Sequence, residues 1–171
     1  MVKFHPSGRL LAAAGLGVAN AALLAWRAAH GGIPRHHLLH RADLPAISTA
    51  WDLLVVPVLA WFLLGRARAR LEGASGWFGF SMGLLVGAGF ALLFQLGHLE
   101  PLPWVLLAIL AVGIVAPIHR AECVLGFVLG MTFTFGAVLS SAVAGVLTGL
   151  SALLYKGARW LWREVRGGAG R

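Results

Sequence analysis

The sequence predicts an all-α fold, a polytopic bundle of six transmembrane helices with both termini on the cytoplasmic side. Of the 171 residues, 59% are hydrophobic and only 12% are charged, whereas soluble domains carry about 25% charged residues. The hydrophobic residues also form long blocks, and ~20 of them in a row suffice to cross a ~30 Å hydrocarbon core. Membrane spans are therefore the units to count.

Five apolar blocks can be read along the chain. The first covers residues 10–26, and it is longer than the apolar core of a signal peptide, which runs about 7–15 residues. We therefore interpret it as a retained span. The other blocks cover residues 46–64, 77–96, 102–118 and 123–154. The last would reach about 48 Å as one helix, which exceeds a single ordinary span.

The number of spans follows from the positive charges, because cytoplasmic segments carry an excess of Lys and Arg. Six spans, with a tight hairpin or broken helix near Ser140 and Ser141, leave eleven such residues inside and three outside. Five spans with the N-terminus inside leave six Lys and Arg residues inside and eight outside. Five spans with the N-terminus outside leave eight inside and six outside. The inside set is Lys3, Arg9, Arg66, Arg68, Arg70, Arg120, Lys156, Arg159, Arg163, Arg166 and Arg171, and the outside set is Arg27, Arg35 and Arg41.

The net charge of +8 predicts which partners the chain meets. In a membrane protein such a charge indicates anionic headgroups, so we expect membrane lipids as partners and no nucleic acid. Residues 1–158 are predicted to form the bundle and residues 159–171 a basic amphipathic cytoplasmic tail. The side chains expected to contact lipid phosphate are Arg66, Arg68, Arg70, Arg120, Arg159 and Arg163.

Glycines repeat every four residues in the third and fifth spans. They are Gly79, Gly83 and Gly87 in the third, with Gly126 and Gly130 in the fifth. Residues four apart share a helix face, and small ones let two backbones approach closely. The pattern predicts tight helix packing, either in the core of one chain or in a homo-oligomer or larger membrane complex.

Asp52 is the clearest candidate for a functional acid. It is expected about six residues into the second span, where a carboxylate costs insertion energy, and Pro57 frees a backbone carbonyl one turn away. Two interpretations remain open. Asp52 either binds a cation, proton or polar ligand, or it is an interfacial residue that caps a helix or pairs with an arginine.

Polar side chains crowd the start of the fifth span. His119, Glu122 and Cys123 share one helix face with the glycines that follow, and Arg120 points elsewhere. Glu122 either sits in a first turn where the helix dipole favours it, or it binds a proton, cation or polar group. The predicted substrate or ion set is Asp52, Glu122, Gln95, Thr132 and Thr134.

The predicted outer loop carries weak metal candidates, His36, His40 and Asp43. A short surface helix opening at Pro34 would place the two histidines one turn apart, but an interfacial helix with Leu38 and Leu39 in lipid explains the loop with fewer assumptions. The sequence has no P-loop, HExxH or CxxC pattern, so no cofactor is expected.

Three functional classes follow from these residues. The leading hypothesis is a small bacterial inner-membrane protein of channel, transporter or ligand-binding type, in which the intramembrane acids act. The first alternative is an interfacial enzyme acting on a lipid or isoprenoid headgroup, with Cys123, His119 and Arg120 as its catalytic residues. The second is an accessory subunit that packs against a larger membrane complex.

Overall fold

The computed structural model of the chain describes residues 6–30, 35–37, 46–48 and 51–168. Its helices are α1 (Pro6–Ala29), α2 (Asp52–Leu71), α3 (Ala74–Gln95), α4 (Leu102–Val115) and α5 (Ala121–Gly168), and its strands are β1 (Arg35–His37) and β2 (Ala46–Ser48). Because α5 is interrupted at Gly136, the described ranges hold six helical segments, and the all-α prediction is confirmed apart from one short hairpin. Three segments are long and apolar enough to cross a membrane: Ser7–Trp26, Ala74–Gln95 and Thr134–Arg166.

The interruption of α5 is a reversal of the chain. Gly136 has φ 75° and ψ 163°, a conformation that is essentially restricted to glycine. Beyond it, the Tyr155 ring lies 5.3 Å from the His119 ring, between centroids, so the second half of α5 returns to the level where the first half began. The break was predicted near Ser140 and Ser141, and it falls four residues earlier because glycine alone reaches this geometry.

The centre of the fold is the interface between α3 and the first half of α5. A β-carbon on Gly83 or Gly87 would overlap the backbone of α5, and one on Gly126 or Gly130 would overlap the backbone of α3. The two glycine stripes therefore meet each other inside one chain. Their lack of side chains lets the backbones of α3 and α5 come into direct contact. By contrast, a β-carbon on Gly145 would meet nothing within 4 Å.

Helix α1 packs antiparallel to α2, and an arginine contact on the bundle surface joins the two helices. The Arg9 Nε donates to the Trp61 carbonyl at 2.6 Å, and its guanidinium lies 3.8 Å from the centroid of the Trp61 ring. Gly65 provides the room, because a β-carbon there would collide with the Arg9 guanidinium. Further along α1, Gly17 faces Pro57, with 3.3 Å between its ideal β-carbon position and the proline β-carbon. These contacts fix the direction of α2 and thereby the position of Asp52.

Two sequence expectations about the first loop are wrong. No helix follows Pro34 over residues 35–37, which instead form a strand whose His36 is paired with Ile47. Strand pairing satisfies the backbone hydrogen-bonding groups of both segments, whereas an isolated helix of one or two turns is only marginally stable. The second span was predicted to begin at residue 46, but residues 46–48 form β2 and α2 begins at Asp52. The candidate ligands His40 and Asp43 lie outside the described residues.

Candidate functional site

The two buried acids lie at opposite ends of the bundle. Asp52, 3% exposed, is beside the break in α5, and Glu122, 2% exposed, is in the first turn of α5. The fifteen residues from 122 to 137 correspond to about 22 Å of helix. We call the first region the Asp52 end. The second is the basic end, which also contains Arg66, Arg68, Arg70, Arg120, Lys156, Arg159 and Arg163.

Asp52 caps the second half of α5. The Ala137 N–H donates to the Asp52 Oδ1 at 2.7 Å, and Ala137 is the first residue after the break at Gly136. A carboxylate in this position satisfies a backbone donor that the new helix start leaves without a partner, and the helix dipole stabilises its charge. The Ser140 hydroxyl donates to the Gly136 carbonyl at 2.7 Å. Asp52 therefore joins the start of α2 to the point where α5 reverses. It is the first residue of α2 and does not lie six residues within that helix.

The uncharged members of the predicted substrate or ion set form hydrogen bonds within the bundle. The Gln95 amide donates to the Thr134 hydroxyl at 3.0 Å and thereby joins the end of α3 to α5. The Thr132 hydroxyl donates to the Val128 carbonyl at 2.7 Å, within its own helix. The structure brings Gln95 and Thr134 together, but it does not bring either of them to Glu122.

Glu122 forms an ion pair that connects the bundle interior with its surface. Arg70 Nη1, near the end of α2, donates to Glu122 Oε1 at 3.2 Å, with the side chains 47% and 3% exposed respectively. The neighbouring Cys123 sulfur faces α3, where a β-carbon on Gly79 would be 3.1 Å from it. The thiol is thus packed at the α3–α5 interface, while Arg70 presents charge to the surface.

His119 lies in the turn between α4 and α5, where three cations from separate elements converge. Its pKa is lowered below the ordinary 6.5, first by burial and then by the positive charges of Lys156, Arg120 and Arg70. Its ring packs against Tyr155. Its Nδ1 is buried and has no hydrogen-bond partner among the described residues. The turn therefore combines a neutral imidazole with a strongly positive surrounding.

The positive surface continues along the last turns of α5. Tyr155, Lys156, Arg159 and Arg163 line a shallow, open cleft. Arg159 Nη1 donates to the Tyr155 hydroxyl at 2.9 Å, and Arg163 Nε donates to the Arg159 carbonyl at 3.2 Å. Residues four apart share one face of a helix, so the tail extends the basic end as a continuous strip.

Tyr155 and Lys156 are residues that the sequence analysis did not include in the site. The end of the chain was treated as a separate anchor, although the charge of Lys156 acts on His119. The signal was Gly136 itself, which lies 15 residues after the start of α5 at Ala121. Residues 121–135 and 137–151 match, so a reversal at Gly136 brings residue 155 back to the start of the helix.

Metal and family comparisons add no further feature to the site. Across residues 6–30 and 51–168, no three His, Cys, Asp or Glu side chains lie close enough to share a metal ion. Of the three metal candidates in the first loop, only His36 belongs to the described residues, as part of β1. No protein-family model, no curated protein and no solved structure matches the chain.

Proposed function

We propose that the chain is a multi-pass protein of the bacterial inner membrane, of the ligand-binding type, with both termini in the cytoplasm. Its ligand is the headgroup of an anionic phospholipid, bound at the basic end. The observation that supports this proposal most is the meeting of three segments at this end, because Arg70 contacts Glu122 at 3.2 Å and the His119 ring lies 5.3 Å from the Tyr155 ring.

The distribution of apolar side chains supports a lipid environment. Leu11, Trp104 and Val115 are 72%, 72% and 79% exposed on the outside of the bundle. Polar side chains are buried inside it: Asn20, Asp52, Glu122, Thr132, Ser140 and Ser151. In water, large exposed apolar surfaces indicate an interaction site, and here the chain carries them on several helices. Lipid tails are the partner that such a surface fits best.

The distribution of charge supports the orientation. The end of α2, the start of α5 and the end of α5 lie together, because Arg70 contacts Glu122 and His119 contacts Tyr155. The end of α2 carries Arg66, Arg68 and Arg70, the turn before α5 carries Arg120, and the later part of α5 carries Lys156, Arg159, Arg163 and Arg166. Positive segments remain in the cytoplasm, and the anionic cytoplasmic leaflet attracts each cation near its surface by about 1 kcal/mol.

The headgroup chemistry follows from the cations and their surroundings. A phosphodiester accepts hydrogen bonds from guanidinium groups in a two-pronged geometry, and Arg70 and Arg120 supply such groups from two elements. Lys156 adds a point charge from the second half of α5. A soluble anion would use these cations alone, whereas a lipid also needs an adjoining apolar surface for its chains.

That apolar surface adjoins the cations. Helix α4 and the second half of α5 lie side by side, since a β-carbon on Gly113 would be 2.8 Å from the Ser151 hydroxyl. The exposed Ile114, Val115 and Leu154 are within a few residues of this contact. A phosphate at the basic end can thus have its acyl chains along α4 and α5.

The remaining hypotheses receive less support from the contacts. In the channel hypothesis Asp52 and Glu122 line a common polar interior, yet each makes a close intramolecular contact at a different end. In the enzyme hypothesis Cys123 attacks a headgroup, yet its sulfur is packed against Gly79. A binding function uses the cations of the basic end. It requires neither a polar interior shared by the two acids nor a reactive Cys123.

Native mass spectrometry of the protein released from detergent tests the proposal. The wild type is loaded with equal amounts of phosphatidylglycerol and phosphatidylcholine and compared with the double variant Arg120→Gln/Lys156→Gln. Removing two cations, at about 1 kcal/mol each, should weaken phosphatidylglycerol binding about 30-fold. The variant Arg166→Gln, at the far end of the tail, is the matched control and should retain the lipid. Equal retention of both lipids by the wild type would contradict the proposal.

A further inference from the structure

The charges of three cations act on His119, and each cation belongs to a different element. Arg70 comes from α2, Arg120 from the turn itself and Lys156 from the second half of α5. The acid on the first half of α5, Glu122, is already paired with Arg70. Two further titratable residues are near: Tyr155, whose ring lies against the imidazole, and Cys123, four residues further along the chain. The immediate surroundings are therefore positive.

The imidazole also carries an unused hydrogen-bonding group. Its Nδ1 is buried without a partner among the described residues, and a buried polar atom in this condition has lost its water without gaining a hydrogen bond. Protonation would make both ring nitrogens donors. In the empty site that proton is disfavoured by the cations, but an anion bound between them would remove the repulsion and accept a hydrogen bond from the ring.

We infer that His119 takes up a proton when an anionic headgroup binds at the basic end, so that the site holds its lipid more tightly in acid. This inference rests on the proposed function and specifies how the same site is regulated. The cations attract the phosphate, and the imidazole provides the element that responds to pH.

The direction of the pH dependence follows from linkage. In the empty site the pKa of His119 is below its ordinary 6.5, and a bound phosphate raises that pKa because it offsets the positive charges. Between the two pKa values the bound form holds one more proton than the free form. Affinity therefore rises as pH falls through that window, by up to about tenfold per pH unit for one proton. Above the window the ring is neutral in both forms and affinity is constant.

Isothermal titration calorimetry of the full chain in a neutral detergent tests the inference. The probe is short-chain phosphatidylglycerol, whose phosphodiester does not titrate between pH 5 and 8, so a pH effect on the headgroup is excluded. Titrations at each pH use two buffers of different ionisation enthalpy, which count the protons taken up per lipid. A parallel titration with inorganic phosphate separates a lipid site from a site for a free anion.

The expected result is tighter binding at pH 5.5 than at pH 8, with uptake of up to one proton, and neither effect in His119→Gln. The matched control, His98→Gln, changes a histidine in the turn between α3 and α4 and should behave as the wild type does. Lipid binding that is equal at both pH values would overturn the inference and leave the proposed function intact. The same slope in His119→Gln would also overturn it. Absence of phosphatidylglycerol binding at every pH, or tighter binding of inorganic phosphate, would overturn the proposed function itself.

Discussion

Replacing Asp52 by alanine should destabilise the hairpin that α5 forms at Gly136. The change removes the acceptor of the Ala137 N–H, a hydrogen bond of 2.7 Å to a side chain that is 3% exposed. An unsatisfied buried N–H costs about 1–3 kcal/mol, and a carboxylate at a helix N-terminus contributes up to about 2 kcal/mol in partly buried sites. We therefore expect a loss of about 3 kcal/mol in the free energy of unfolding.

Asp52→Asn separates the two contributions. The amide oxygen can still accept from Ala137 while the negative charge is lost, so about 1 kcal/mol should be lost. Unfolding by sodium dodecyl sulfate in mixed micelles measures the global effect. Amide hydrogen exchange measures the local one, and a loss of 3 kcal/mol should accelerate exchange at Ala137 about 100-fold in Asp52→Ala.

Glu100 provides the matched control for Asp52. It is an exposed acid in the turn between α3 and α4, near the same end of the bundle, and a surface substitution of this kind usually changes stability by less than about 0.5 kcal/mol. If Asp52→Ala were no less stable than Glu100→Ala, or if exchange at Ala137 were unchanged, then Asp52 would not cap α5.

The other predictions concern the break, the glycine stripes and the buried ion pair. Gly136→Ala should cost about 1–3 kcal/mol of unfolding free energy, because φ 75° with ψ 163° excludes a side chain; an unchanged value would contradict the reversal. Gly130→Ala should unfold at lower detergent concentration than Gly145→Ala, since only the first added β-carbon meets backbone; equal midpoints would refute the packing. Arg70→Gln should destabilise the protein more than Glu122→Gln, because it leaves a nearly buried carboxylate without its cation. In Glu122→Gln the half-exposed Arg70 can return to water. The reverse order in the same assay would contradict this account.

The helices were largely predictable because their signals are local. Long apolar blocks predict α1, α3 and α4, and Pro117 explains why α4 stops at Val115, since the residue before a proline favours extended backbone, as Ala116 adopts. Where the signal was not local, the prediction was less accurate. The start of α2 depends on strand pairing between residues 35–37 and 46–48. The spacing of apolar residues within one segment does not reveal which other segment it pairs with.

The arrangement of the site was less predictable, because it depends on which segments meet. Asp52 and Ala137 are far apart in sequence, so the choice between a cap and a ligand-binding acid needed the position of the α5 break. The glycine spacing predicted tight packing but could not distinguish a core from an oligomer interface. Lys156 is far from His119 in sequence, and the reversal at Gly136 is what brings their segments together.

Photocrosslinking with a phosphatidylglycerol that carries a reactive group in its headgroup tests the central claim most directly. The full chain is irradiated with the lipid and the adducts are located by mass spectrometry of its peptides. Adducts concentrated on residues 115–123 and 153–163, and reduced in Arg120→Gln/Lys156→Gln, are the predicted result. Adducts concentrated around Asp52 and Gly136, or spread evenly over the chain, would contradict a headgroup site at the basic end.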